Sequence, residues 1–149
     1  MSYHRGHEII HPKDKYVLKR FIMKRKCLLI DDDLDDQEIF IMTIQQLDAK
    51  IDCVAQYDCV AAIEQLRDSA EGLPDYIFLD MNMPKMTGLK CLEEIRKMPH
   101  LQHAKIIMYS TTLDESIKRQ AMLLGADGFL IKQHTLAKLK ESVALVFQK

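Results

Sequence analysis

Tyr76-Ile77-Phe78-Leu79-Asp80-Met81-Asn82-Met83-Pro84-Lys85-Met86-Thr87-Gly88 is the stretch whose reading decides the fold. Its first four residues are apolar without alternation, and they follow a Leu73-Pro74-Asp75 turn. A short run that is apolar on both faces reads as a strand buried inside a parallel sheet. The run stops on a carboxylate, Asp80, and Asn82, Pro84 and Gly88 then impose a loop before the next helical pattern. In open α/β sheets, ligands and chemistry gather at the carboxyl ends of the strands, which makes Asp80 the first candidate for function.

The pattern repeats on both sides of this stretch. Upstream, Cys27-Leu28-Leu29-Ile30 is a short buried-type strand ending on Asp31-Asp32-Asp33. Asp35-Asp36-Gln37-Glu38 puts acids in the first turn of a helix, where the macrodipole favours them, and Ile39, Phe40, Met42, Thr43 and Leu47 continue it at helical spacing. Ile51 to Ala55 is a second strand. Asp58 is an N-cap for a helix on Val60, Ile63 and Leu66 that stops near Gly72-Leu73-Pro74. Downstream of the central strand, a helix over 88–98 carries Leu89, Leu92 and Ile95, and Pro99 closes it.

Lys105 to Tyr109 is a fourth strand, ending on Ser110-Thr111-Thr112. A helix over 114–124 is halted by Gly125, and Gly128 to Ile131 is a fifth strand ending on Lys132. Thr135 caps a last helix on Leu136, Leu139, Val143 and Val146. Five strand–helix units in succession require a parallel sheet with helices on both faces. There is no internal repeat and no low-complexity segment.

The chain of 149 residues, 48% apolar and 29% charged, is long enough for one domain with its own core. The net charge of −1 hides an asymmetry: residues 1–26 hold eight Lys/Arg against two acids, and the remainder holds thirteen against twenty. A basic arm (residues 1–23) therefore precedes an acidic body (residues 24–149), and nucleic-acid binding by the body is not expected. His4, His7 and His11 stand at uneven spacing in the arm and read as solvated rather than metal-ligating. Residues 16–22 of the arm form a mixed segment that reads as a short helix or strand able to dock on the body or a partner.

Cys27, Cys53, Cys59 and Cys91 lie far apart with no C-x-x-C pair, so small buried thiols in a reducing cytosol are expected, with no zinc site. No apolar run approaches the roughly 18 residues of a membrane span, and the N-terminus lacks a signal peptide's apolar core. The expected location is cytoplasmic.

Strand ends one, three, four and five deliver Asp31-Asp32, Asp80, Ser110-Thr111 and Lys132. A parallel sheet gathers them along one edge. Three carboxylates together repel unless a cation joins them, and Mg²⁺ is suited to one or two carboxylates plus waters and phosphate oxygens. With a hydroxyl and an ammonium added, the group reads as a site where a carboxylate attacks a phosphoryl group in line. Each residue alone has a plainer reading as a cap, a turn or a surface charge; their joint arrival at strand ends carries the inference.

Leu-Leu-Ile-Asp-Asp-Asp, Phe-Leu-Asp-Met-Asn-Met-Pro-Lys-Met-Thr-Gly, Met-Tyr-Ser-Thr and Gly-Phe-Leu-Ile-Lys stand in the order found in receiver domains. Residues 24–147 thus resemble a stand-alone response-regulator receiver of two-component signalling, similar to the chemotaxis receiver. The resemblance implies a flavodoxin-like, doubly wound (βα)5 fold with strand order 2-1-3-4-5. It implies Asp80 as phosphoacceptor and Mg²⁺ held by Asp32 and Asp80, with the Asn82 carbonyl and, through water, Asp31. Ser110 would be the switch hydroxyl, Lys132 the lysine pairing with the phosphoryl group, and Phe129 the switch aromatic. The implied partners are a sensor histidine kinase or histidine phosphotransfer protein and a downstream protein, with homodimerisation open and no nucleic acid or membrane.

One position departs from the family, which usually has proline after the lysine, commonly in a cis bond. Gln133 stands here, and a cis bond without proline costs about 2.5–4 kcal/mol, so a trans peptide and a displaced loop are expected. Two other classes share features of this site. A phosphatase or phosphotransferase of the haloacid-dehalogenase type also uses a strand-end aspartate, but it wants an acid where Asn82 stands. A binding module that no longer needs phosphate would lack reason to keep the acids.

Overall fold

The computed structural model describes residues 3–5, 8–10 and 25–148. The expectations for residues 16–22 lie outside the described residues. Within the arm, Tyr3–Arg5 and Glu8–Ile10 form an antiparallel pair with Tyr3 opposite Ile10, which the sequence reading did not anticipate.

The body alternates strictly between strand and helix. Its strands are β1 (Arg25–Ile30), β2 (Ile51–Gln56), β3 (Tyr76–Asp80), β4 (Lys105–Ser110) and β5 (Gly128–Ile131). Its helices are α1 (Leu34–Leu47), α2 (Cys59–Asp68), α3 (Gly88–Arg96), α4 (Glu115–Leu123) and α5 (Leu136–Phe147). All strand pairings in the body are parallel, in the order β2-β1-β3-β4-β5. The expected five-unit, doubly wound order 2-1-3-4-5 is the observed one.

The central strand behaves as its composition requires. All five residues of β3 are buried, so its side chains enter both apolar layers. Ile77 and Leu79 join α2, α3 and α4 on one face; Tyr76 and Phe78 join α1 and α5 on the other. Phe40 of α1 lies 4.8 Å from the Phe78 ring, tilted by 60°, the offset geometry that aromatic quadrupoles favour. Burying a side chain of this size contributes roughly 1.5–3 kcal/mol.

Asp58 and Thr135 are the expected caps, and Asp114, expected as the first residue of its helix, is that helix's cap instead. Asp58, Asp114 and Thr135 each accept main-chain N–H bonds in the first turn, satisfying donors with no partner inside the helix. Two details of the helical faces differ from the expected ones. In α1 the buried face is Phe40, Thr43 and Ile44, whereas Ile39 and Met42 are exposed, because the sheet covers a narrower stripe than the apolar residues span. The helix after Asp58 ends at Asp68, before Gly72, whose φ of +69° suits the turn that follows.

The cysteines require a correction. Cys59 and Cys91 are joined as a disulfide, with Cα atoms 6.5 Å apart, while Cys27 and Cys53 are free. Packing of α2 beside α3 brings the first residue of one helix against the fourth of the other. A separation of 32 positions hid that proximity.

Arg96 ties the far ends of three elements together. Its guanidinium donates to the carbonyls of Gly125 and Leu101 and, at 2.7 Å, to Asp127, whose carboxylate also accepts from the Ile106 N–H. This clasp fixes the turn between α4 and β5, and with it the level at which β5 delivers its last residues.

Candidate functional site

Parallel strands that end at one level must present their terminal residues together. One carboxylate oxygen from each of Asp31, Asp32 and Asp80 falls within a sphere of mutual separations no larger than 4.8 Å. Asp31 and Asp80 are buried, and Asp32 is half-buried. Asp31 is held at the mouth of β1 by its own N–H to the Gln56 carbonyl, and its Oδ1 accepts the Asp33 N–H. Asp80 Oδ1 accepts the Asn82 N–H at 3.1 Å, a turn that aims its carboxylate out of the sheet.

Lys132 closes the group from β5. Its main-chain N–H donates to the Ser110 carbonyl at 2.8 Å, which sets the direction of the side chain. The ammonium lies 2.8 Å from Asp31, 2.9 Å from Asp36 and 3.4 Å from Asp80, above the face of the Tyr109 ring. The Lys132–Gln133 peptide is trans, as expected, since no cis bond occurs among the described residues. The absence of a cis turn does not prevent the lysine from reaching the carboxylates.

Ser110 is buried at the end of β4, and the Asn82 side-chain amide approaches its Oγ at 3.5 Å. Phe129 sits two residues before the end of β5, half-buried against the layer under α4, with the Lys118 ammonium 5.9 Å above its ring. A cavity of about 430 Å³ opens beside Ser110, lined among others by Met81, Asn82, Thr87, Thr112 and Ile117. Of the residues singled out from sequence, Asp31, Asp32, Asp80 and Lys132 form one cluster, Asn82 and Ser110 border it, and Phe129 stands apart on the same strand as Lys132.

The sequence reading missed Asp36. From the sequence alone, the helix macrodipole is reason enough for an acid in the first turn of α1. A signal was present: Asp36 lies three residues after the N-cap Asp33, which accepts the Asp36 N–H, so the turn folds back toward the strand end that carries Asp31.

Burial pushes the Asp31 carboxyl up to about 6, against the opposing pull of Lys132 and the Asp33 N–H, with the charge of Asp80 adding to the rise. Burial also disfavours the Lys132 ammonium, yet the bonds to Asp31 and Asp36 outweigh it and hold the group above its ordinary range. Asp31 Oδ2 is buried, with the Lys132 ammonium 2.8 Å away. Three carboxylates gathered this closely, with one ammonium beside them, fit a hard divalent cation, whose oxygen ligands are of this kind. Asp31, Asp32 and Asp80 are the residues that suit one.

The sequence matches the response regulator receiver domain family over residues 27–144, and the chain belongs to that family. It is 29% identical over 125 residues to a probable chemotaxis protein CheY of Rhizobium etli, covering 83% of this chain and 93% of that protein. It is 31% identical over 91 residues to the chemotaxis protein CheY of Treponema pallidum, covering 61% of each. Among solved structures, the phosphorylated cyanobacterial phytochrome response regulator RcpA superposes with a TM-score of 0.74 at 25% identity, covering 83% of this chain and 91% of that one. The Mn(2+)-bound form of the response regulator Rcp1 shares the fold with a TM-score of 0.70 at 23% identity, covering 82% of this chain and 91% of that one. The protein is thus a receiver domain of two-component signalling. No helix among the described residues is long and apolar enough to cross a membrane.

Proposed function

We propose that the body is a phosphorylation switch in which Asp80 accepts a phosphoryl group from the phosphohistidine of a sensor kinase or phosphotransfer protein. The observation that carries this reading is the clustering of Asp31, Asp32 and Asp80 around the Lys132 ammonium at the open end of the sheet. A carboxylate oxygen of Asp80 attacks phosphorus while the phosphorus–nitrogen bond of the donor breaks, and the electron pair stays on the donor imidazole. Asp32, Asp80, the Asn82 carbonyl and Asp31 would hold Mg²⁺, which would supply charge neutralisation for the phosphoryl oxygens. Lys132 pairs with one of those oxygens.

Ser110 and Phe129 form the response. A phosphoryl group on Asp80 draws the Ser110 hydroxyl toward it, and Phe129 moves into the space left beside that hydroxyl. The population thereby shifts toward an active surface on α4, β5 and α5, which a downstream protein reads. The cavity next to Ser110 gives that movement room.

Beryllofluoride, a phosphoryl mimic, tests the reading. With Mg²⁺ it is expected to shift the amide signals of Asp80, Ser110 and Phe129 saturably, and to leave Asp80→Asn unchanged. A native protein that does not respond would favour a binding module independent of phosphate.

A further inference from the structure

We propose that Asp36 is a positioning residue of the site: it draws the Lys132 ammonium toward α1, so that its hold on Asp80 Oδ2 stays long and weak and a cation can take that oxygen. This rests on the phosphorylation reading above and adds a residue to it.

An ammonium has three donors, and three carboxylates surround this one. The distances are unequal: 2.9 Å to Asp36 against 3.4 Å to Asp80, with Asp31 at 2.8 Å. The head group therefore leans toward α1. The Tyr109 ring lies on another side of it, leaving few directions for a flexible stem to take. Without the Asp36 charge, the strongest remaining attraction for the ammonium is the pair Asp31 and Asp80, the oxygens that suit a cation. Lysine and metal would then compete for the same atoms. Asp36 also lies on a helix rather than on the loop after Lys132, so it restrains the lysine independently of the trans Lys132–Gln133 turn.

The side chain of Asp36 is about one-third exposed, and the cap bond of this turn uses its main-chain N–H rather than its carboxylate. Asp36→Asn is consequently expected to keep the native melting point. The test is a double-mutant cycle on Mg²⁺ affinity, measured by calorimetry or by amide shifts of Asp80 and Asn82. Asp36→Asn is expected to weaken Mg²⁺ about five- to tenfold when Lys132 is present, and less than about twofold in the Lys132→Ala background, since only a screened, partly exposed charge is then lost. Equal losses in both backgrounds would mean that Asp36 acts as a distant charge or as a ligand itself, and would overturn the positioning role while leaving the receiver reading intact. A native protein that does not bind Mg²⁺ would overturn both.

Discussion

The carbonyl oxygen of Asp80 and the α-carbon of Gly88 approach so closely that a Cβ on Gly88 would stand 2.6 Å from that oxygen and 2.8 Å from the Met81 Cα. The start of α3 is thereby pressed against the end of β3, and the Gly88 N–H donates to the Met81 carbonyl. The loop between them carries Asn82, so its shape is set by a residue without a side chain.

Gly88→Ala is accordingly expected to cost about 1–3 kcal/mol, as overpacking against backbone does. It should also displace the Asp80 and Asn82 amide resonances. Denaturant unfolding together with an amide spectrum checks both effects. A variant of native stability with unshifted Asp80 would show that the loop yields without strain.

Asp31 makes stability depend on pH in an unusual direction for a carboxyl. Its value is raised from an ordinary 3.8 to about 6, so between those limits the native state binds more protons than the unfolded chain. Its contribution to stability is then present at low pH and lost as pH rises through about 6. Ionising Asp31 at neutral pH costs about 3 kcal/mol at most in the metal-free protein. Asp31→Asn removes the titration, so in the absence of metal its stability relative to native should rise between pH 4 and pH 7. Mg²⁺ competes with the same proton, and its affinity should fall about tenfold per pH unit below 6. A pH-independent stability difference would refute the assignment.

The Cys59–Cys91 bridge links α2 to α3 next to the loop after Asp80, and Met86 of that loop rests 3.7 Å from the Cys59 sulfur. A cross-link over 32 positions constrains the unfolded chain by about 2–4 kcal/mol. Adding a thiol reductant to the oxidised protein should therefore lower its melting point by several degrees. Cys59→Ser should melt at one temperature with and without reductant. A native protein indifferent to reductant would mean that the two sulfurs are not bonded in solution.

Much of this molecule was legible before its structure. The bounds of β3 and β5 agree with the expected strands because each is a short apolar run between turn residues, and the caps Asp58 and Thr135 stood where first-turn N–H groups need acceptors. The cluster of Asp31, Asp32, Asp80 and Lys132 was legible too, because parallel strands leave their last residues side by side. The disulfide and Asp36 were not, for a common reason. Each depends on how a helix rotates and leans on its neighbour, a property of packed side chains that no local spacing encodes. The exposed Ile39 and Met42 show the same limit, since periodicity marks an apolar face without fixing how much of it the sheet covers.

The most direct measurement is the intact mass of the protein, followed by peptide mapping, after incubation with an acyl phosphate and Mg²⁺. The account predicts a gain of one phosphoryl group on the peptide containing Asp80, lost when Mg²⁺ is chelated and absent from Asp80→Asn. A gain that persists in Asp80→Asn, or no gain in a native protein shown to bind Mg²⁺, would contradict it.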